Sequence, residues 1–498
     1  MPVQIALMKR LPMSYRHLSN QRRRSSTNQV CRLAATRRQI LEQTSLGFGA
    51  LAARALFAEE SGARARLDDP LAPKRPHLPP RAKSVIFMYM DGGISQVDSF
   101  DPKPRLGSEN GRARPFAIDA TVFNQNGNLL ASPWRFKRCG QSGIPISDLF
   151  PHLRSVADEL CVIRSMTAFS ANHPNATYAL HSGHARLGRP SMGAWVTYGL
   201  GTQSRNFPGF VVVHGGQMFS GGMSNIGSGF LPANYQGSMM LPSAPHLPNL
   251  LRQDARADVQ NAKQRVLRQL DHDLSSSAGT NSVIEAAIAN HELAFRMQSA
   301  APELFDLSQE TARTKRQYGL EAEYANTRKY GSQCLIARRL VERGVRFIEL
   351  TINPGNSDRW DQHSDLKNGH SRNALAVDQP VTALIRDLKA RGLLDSTLIV
   401  CTSEFGRTPF AQGTNGRDHN PQGFSMWMAG GGIRGGTVYG ATDEYGYRAI
   451  ENKLTVHDLH ANMLHLLGID HTRLTFRFGG RDVRLTDVHG RIVAELIA

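Results

Sequence analysis

Three apolar runs of this chain each deliver acidic residues into a loop. Residues 84–90 lead to Asp91, 345–351 lead to Asp358-Arg359-Trp360-Asp361-Gln362-His363, and 397–402 lead to Ser403-Glu404. The runs are short, lack polar alternation and are rich in Val, Ile, Leu and Phe, as in strands buried on both faces. Amphipathic helical patterns at 330–344 and 375–392 precede the second and third runs, and another follows at 457–467. Strands alternating with helices predict an α/β fold, with a mainly parallel central sheet and helices on both faces. Such sheets bind ligands beyond the carboxyl ends of their strands, where these acids stand.

Further strands are expected at 161–167 and 210–214, and a helix at 147–160. A loop opening a short helix is expected at 172–184. Residues 215–245, rich in Gly, Ser, Met and Asn, read as a surface loop or lid. Residues 248–330 read as a helical insertion with a break at 275–279. The expected organisation is a basic leader at 1–60, a Pro- and Arg-rich linker at 61–82 and one α/β domain at 83–498.

Charge separates the leader from the body. Of the net +17, residues 1–85 carry +11, from 16 Lys/Arg against 5 Asp/Glu. The excess therefore does not describe a basic binding face, and no basic stripe with interleaved aromatics argues for nucleic acid. Arg37-Arg38 precede a short apolar segment rich in Gly and Ala, the layout of a twin-arginine export signal, with Arg54 interrupting it. The expectation is an exported, periplasmic or extracellular protein without a transmembrane helix in its mature part, since no apolar run of about 18 residues follows. Cys31, Cys139, Cys161, Cys334 and Cys401 are odd in number and scattered, which argues against a disulfide framework or a structural zinc site.

Asp91 is followed by two glycines, which let backbone approach a bound ion, although a turn-forming Asp reads the same way. Asp361 and His363 are two apart and can face one site from an extended loop. Glu404 stands at a strand end. Arg407, three residues on, offers a fork that matches sulfate or phosphate oxygens, or else an ion pair with Glu404. His419 follows Asp418 just before an apolar run. Mixed nitrogen and oxygen donors suit a divalent metal: Zn, Mn, Mg or Ca, as one or two ions. His181 and His184 could face the site or serve as packed helix residues.

Taken together these segments resemble the alkaline phosphatase–sulfatase superfamily. More closely they resemble domain-of-unknown-function family 1501, an exported branch of it. The segments that carry the likeness are Arg37-Arg38, 90–93, 360–363, 403–409, 417–419, 430–436 and 485–489, and it spans roughly residues 36–498. The resemblance implies Asp91 and Glu404 on one metal, and Asp361 (or Asp358), His363 and His419 on the other. The chain departs from it in two places. Phosphatases of the superfamily carry Asp-His where this chain has Glu404-Phe405. Where sulfatases carry a Cys or Ser nucleophile, this chain has Asn172, His173, Asn175 and Thr177. His173 or Thr177 would then be the catalytic group, or water on the metal, with Asn172, Asn175 and Arg407 binding substrate.

The expected function is a metal-dependent hydrolase of sulfate or phosphate esters, with an anionic ester, such as a sulfated or phosphorylated carbohydrate, as substrate. The alternative is a non-catalytic cell-envelope binding protein on the same fold.

Overall fold

The three acid-bearing runs are neighbouring strands. The computed structural model describes residues 70–498 apart from Gln217, Phe219 and residues 248–255, 279–281 and 353–358. The expected leader with Arg37 and Arg38, and Asp358, lie outside the described residues. The strands that matter are Ser84–Tyr89 (β1), Leu160–Thr167 (β2), Phe210–Val213 (β3), Ser238–Met240 (β4), Phe347–Thr351 (β5), Thr397–Thr402 (β6), Gly406–Gln412 (β7), Gly416–Asn420 (β8), Phe424–Ala429 (β9), Thr437–Tyr439 (β10) and Leu454–Thr455 (β11).

Nine of them form one sheet in the order β10-β2-β9-β6-β1-β5-β3-β4, with β11 also paired to β2. Every pairing in it is parallel except those of β9, which runs antiparallel to both β2 and β6. β1 lies at the centre, with Tyr89 in register with Thr351 on one side and Thr402 on the other. The three strands end flush, so Asp91, the loop after Thr351 and Glu404 leave from one edge of the sheet.

Burial explains the pattern. Val85, Ile86, Phe87 and Met88 are all 0% exposed, and removing each such side chain from water stabilises the fold by about 1.5–3 kcal/mol. Phe87 and Tyr89 project to one face, where both meet the ring of His181 on helix His173–Ser182 (α1). Met90 lies on the opposite face, against Val377 and Val381 of helix Leu366–Ala390 (α5). Helices therefore cover both faces. The expected insertion holds helices Ala257–Ala278 (α2) and Ser282–Phe305 (α3), and Ala325–Glu342 (α4) follows. Helix Val456–Leu466 (α6) closes the order, capped by Thr455 and Asp458. Among the described residues no helix is long and apolar enough to cross a membrane.

One expectation needs correction. The helix expected at 147–160 is a strand, Ile144–Ser147, followed by a short 3-10 stretch, Leu153–Glu159. Asp378 of α5 accepts the N–H groups of His152 and Leu153 at 2.7 and 2.8 Å and so fixes where the turn starts. His419 does not follow a parallel strand. It lies within β8, in a small antiparallel sheet of β8, β7 and Asn126–Leu129, with Arg407 as its register partner. Residues of the expected linker from Lys74 onward bond to the body: the N–H groups of Lys74, Leu78 and Arg81 donate to the carbonyls of Leu200, Gly468 and Leu466.

Candidate metal centre

The turn after β1 requires glycine. Gly92 has φ of +109°, and a Cβ there would stand 2.7 Å from the backbone nitrogens of both Trp360 and Asp361. Trp360 N–H donates to Asp91 O at 2.9 Å. The turn and the 360–363 loop therefore lie in direct backbone contact. Gly92 N–H is shared by the two carboxylate oxygens of Glu404, at 3.0 and 3.2 Å. The β7–β8 hairpin is tied to the same turn: Gln96 accepts from Arg407 N–H at 2.9 Å and donates to Arg407 O at 2.7 Å.

Two overlapping donor clusters result. His173, Asp361, His363 and His419 form one, and Asp91, His173 and Glu404 the other, with the donor atoms in each within 4.8 Å of one another. His173 belongs to both. Its Nδ1 lies 2.5 Å from Glu404 Oε1. Its Nε2 lies 3.2 Å from Asp361 Oδ2 but out of line for a hydrogen bond, leaving a buried nitrogen without such a partner.

The histidines are oriented as metal ligands are. His419 Nδ1 faces Ala171 O at 2.5 Å, and His363 Nδ1 faces Gln412 Oε1. A carbonyl oxygen only accepts, so each Nδ1 carries the proton. Both Nε2 atoms then turn to Asp361 Oδ1, at 3.2 Å from His419 and 2.9 Å from His363. Burial, with Arg407 and His173 nearby, lowers His419 to about 4, against the pull of Asp361, so its Nε2 is bare at neutral pH. A lone pair aimed at a carboxylate is repulsive unless a cation stands between them. That donor set fits a divalent ion, with backbone and side-chain acceptors fixing the imidazoles from behind.

The acids are unequal. Burial, then the charge of Glu404, pushes Asp91 up to about 7 despite Arg359, whose Nη1 lies 2.6 Å from Asp91 Oδ2. Burial also works against charge on Glu404, but His173 and the Gly92 N–H outweigh it and hold the carboxyl low. Asp361 likewise stays well below the carboxylate range: the three histidines and Arg407 outweigh its burial. His173 is raised to about 9, because Asp361 and Glu404 outweigh the burial that opposes its charge.

Among the sequence candidates, Asp91, Asp361, His363, Glu404 and His419 come together, and His173 joins them, in contact with Glu404 and facing Asp361. Thr177 does not present a nucleophile. It is 0% exposed, and its Oγ1 is 2.8 Å from Tyr89 OH, which in turn donates to Asp91 at 3.2 Å. Arg407 is not an open anion clamp, nor does it pair with Glu404. It is 0% exposed, and its guanidinium donates to Gly92 O, Gly93 O, Arg417 O and Asp361. Asn172 and Asn175 stand exposed at the start of α1, flanking His173. His181 is buried, bonded to Thr177 O at 2.7 Å and Glu349 at 3.0 Å. His184 Nδ1 accepts from Arg186 N–H outside the clusters.

Sequence reasoning missed Arg359, Tyr89, Gln412 and Phe123, whose half-exposed ring lies edge-on to His363 at 4.6 Å. Arg359 adjoins a segment already singled out, and its charge beside Trp360 was the available signal. The other three reach the centre through tertiary packing alone.

A family model described as "Protein of unknown function (DUF1501)" matches residues 82–497. No curated protein matches the chain in sequence. Among solved structures, it is similar to the PsFucS1 sulfatase from Pseudoalteromonas sp., at 13% identity and TM-score 0.33 over 80% of this chain and 68% of that one. It is also similar to an alkaline phosphatase superfamily protein from Vibrio parahaemolyticus, at 8% and 0.33 over 80% and 70%. The phosphonate monoester hydrolase SpPMH from Silicibacter pomeroyi is similar at 12% and 0.31 over 64% and 68%.

Proposed function

The chain belongs to the DUF1501 family, and on the centre just described we propose that it is a metal-dependent hydrolase of sulfate or phosphate esters. One observation carries the reading: the Nε2 atoms of His363 and His419 converge on Asp361, while Asp91 and Glu404 meet His173 from the other side. Asp361, His363 and His419 would hold one ion. Asp91 and Glu404 would hold a second, with His173 between them. Three imidazoles favour zinc over calcium, and the three carboxylates also admit manganese. When bound, the ion supplies positive charge that polarises an ester oxygen.

The chain's own groups do the rest. Arg359 is the arginine of the centre with solvent access, its side chain 19% exposed against 0% for Arg407. Its guanidinium can orient a tetrahedral oxyanion beside Asp91. In the metal-free centre His173, joined to Glu404 through Nδ1 and facing Asp361 through Nε2, holds a proton between the two acids. Arg407 and Gly92 keep the 360–363 loop in place. Asn172 and Asn175 flank the opening and can donate to substrate. An exported setting, carried by Arg37-Arg38, would give the centre extracellular esters, sulfated or phosphorylated carbohydrates among them.

The second reading is a non-catalytic binding protein of the cell envelope. What favours it is that a histidine, not a hydroxyl or thiol, stands at the start of α1. Metal analysis of the purified chain, with turnover of aryl sulfates and aryl phosphates before and after chelation, separates the two. Metal with chelator-sensitive turnover supports the hydrolase and picks the ester. Metal without turnover on any ester supports the binding protein. No metal overturns the ligand assignment.

A further inference from the structure

A cleft of about 460 Å³ opens around Phe169, His457 and His489. Its floor is where β2 and β11 end, at the register partners Thr167 and Thr455. These strands run parallel to β1 and β6, so the cleft opens at the edge of the sheet that carries Asp91 and Glu404. Only β9 separates β2 from β6, a spacing of about 10 Å at the usual interstrand distance. One short loop borders both places. Ala171 O in that loop holds His419, and two residues earlier the ring of Phe169 meets His457 edge-on at 5.2 Å. From Ala168 to His173 the loop is exposed or partly exposed throughout.

The walls have a definite chemistry. Phe169 is 48% exposed, and Val488 beyond it is 75% exposed. The rings of His457 and His489 stack at 4.7 Å with 29° between their planes. His457 Nε2 donates to Gly183 O at 2.8 Å, which leaves Nδ1 as an acceptor. The carboxylate of Asp458, also in the lining, is engaged within the fold. It accepts from Thr455 N–H and Oγ1 and from Arg491 N–H, each at 2.8 Å, at the start of α6. The exposed guanidinium of Arg491, bonded among the described residues through Nη2 to Lys453 O at 3.3 Å, is the cation of the wall. Flat rings, a hydrogen-bond acceptor and one cation match a hydroxylated ring bearing an acidic group. The segment 485–489, singled out in the sequence and unused by the metal centre, supplies His489 and Val488.

We propose that this cleft is a distal subsite for an anionic sugar unit, belonging to a chain whose ester group lies at the metal centre. The second half of that statement rests on the hydrolase reading; the sugar site itself does not. The test titrates the full chain, held metal-free with chelator, with a sulfated hexasaccharide and its desulfated counterpart. It compares the native protein with Phe169→Ala and Arg491→Ala, both exposed positions outside the metal centre. Turnover of phenyl sulfate and phenyl phosphate by the metal-loaded proteins is followed in parallel.

The expected result is tenfold or weaker binding of the sulfated hexasaccharide in each variant, with turnover of the small esters unchanged. Equal binding by all three proteins, or no binding by the native chain, overturns the subsite. Equal affinity for the desulfated counterpart overturns its anionic character. Binding that both variants lose, in a protein without ester turnover, supports the sugar site while the hydrolase reading fails.

Discussion

His173 and Glu404 make a 2.5 Å contact that joins the two halves of the centre, because the other nitrogen of the same ring faces Asp361. With His173 raised to about 9 and Asp91 to about 7, the metal-free centre holds protons where an ion would sit. Below pH 7 both groups keep one, between 7 and 9 His173 alone keeps one, and above 9 neither does. An ion must displace them, so zinc affinity should rise with pH across this window. Calorimetric titration at pH 6, 7 and 8.5, in two buffers of different ionisation enthalpy, should show proton release that shrinks as pH rises. Affinity independent of pH would exclude His173 and Asp91 from the ligand set.

Arg359 and Arg407 each touch an acid of the candidate centre, Asp91 and Asp361, but should respond differently to removal. Arg359→Ala should retain metal and weaken inhibition by sulfate, phosphate or vanadate by about 1.5–3 kcal/mol, the range for a hydrogen bond to a charged group. Arg407→Ala removes a fully buried guanidinium from partly exposed Asp361 and from three carbonyls, which should cost about 1–3 kcal/mol of stability and loosen Asp361. Urea midpoints and metal content tell them apart. A stable, metal-loaded Arg407→Ala protein that no longer binds oxyanion would return Arg407 to the anion-clamp role.

Gly92→Ala should damage the centre before it damages the sheet. The new Cβ meets the Trp360 and Asp361 backbone at 2.7 Å, at a φ that side chains rarely adopt. The strain should cost about 1–3 kcal/mol, and its relief is movement of the 360–363 loop away from Glu404. Metal content should fall while the far-ultraviolet circular dichroism stays native. Full metal occupancy in this variant would show that the backbone contact is not needed.

The sequence made the strand ends legible because burial on both faces leaves an uninterrupted apolar run, as in 84–89 and 397–402. Asp91, Asp361, His363 and Glu404 could be read for the same reason, as polar residues placed at or soon after such runs, and His419 from its place beside Asp418 just before one. What decides their chemistry was not legible. Arg407 reads as an exposed clamp until the hairpin is seen folded over Gly92 and Gly93. Thr177 reads as a hydroxyl near the site until Tyr89 is seen covering it. His173 reads as one candidate among several in its segment until Glu404 and Asp361 arrive from strands more than 180 residues away. Sequence periodicity reports which face a residue takes, and ligand geometry depends on contacts between distant segments.

Acid should destabilise the fold through His370, which stands behind the 360–363 loop. It is 0% exposed, its Nδ1–H donates to Gln362 at 2.6 Å, and its Nε2 accepts from Ser95 N–H at 3.2 Å. Burial, with Arg407 and Arg417 nearby, lowers it to about 3 although Asp98 pulls the other way. The unfolded chain takes up this proton near pH 6.5 and the folded one does not until about 3. The stabilisation is therefore complete above pH 6.5 and is lost as pH falls from there towards 3. The loss is about 1.4 kcal/mol per pH unit from this side chain. Urea unfolding at pH 7.5, 6 and 5 should show that slope. His370→Gln should be less stable at pH 7.5, because Ser95 and Gln362 lose a well-placed partner, yet its stability should fall less steeply with acid. Equal slopes in the two proteins would assign the acid sensitivity elsewhere, with His460, lowered to about 3 by burial, as the next group to replace.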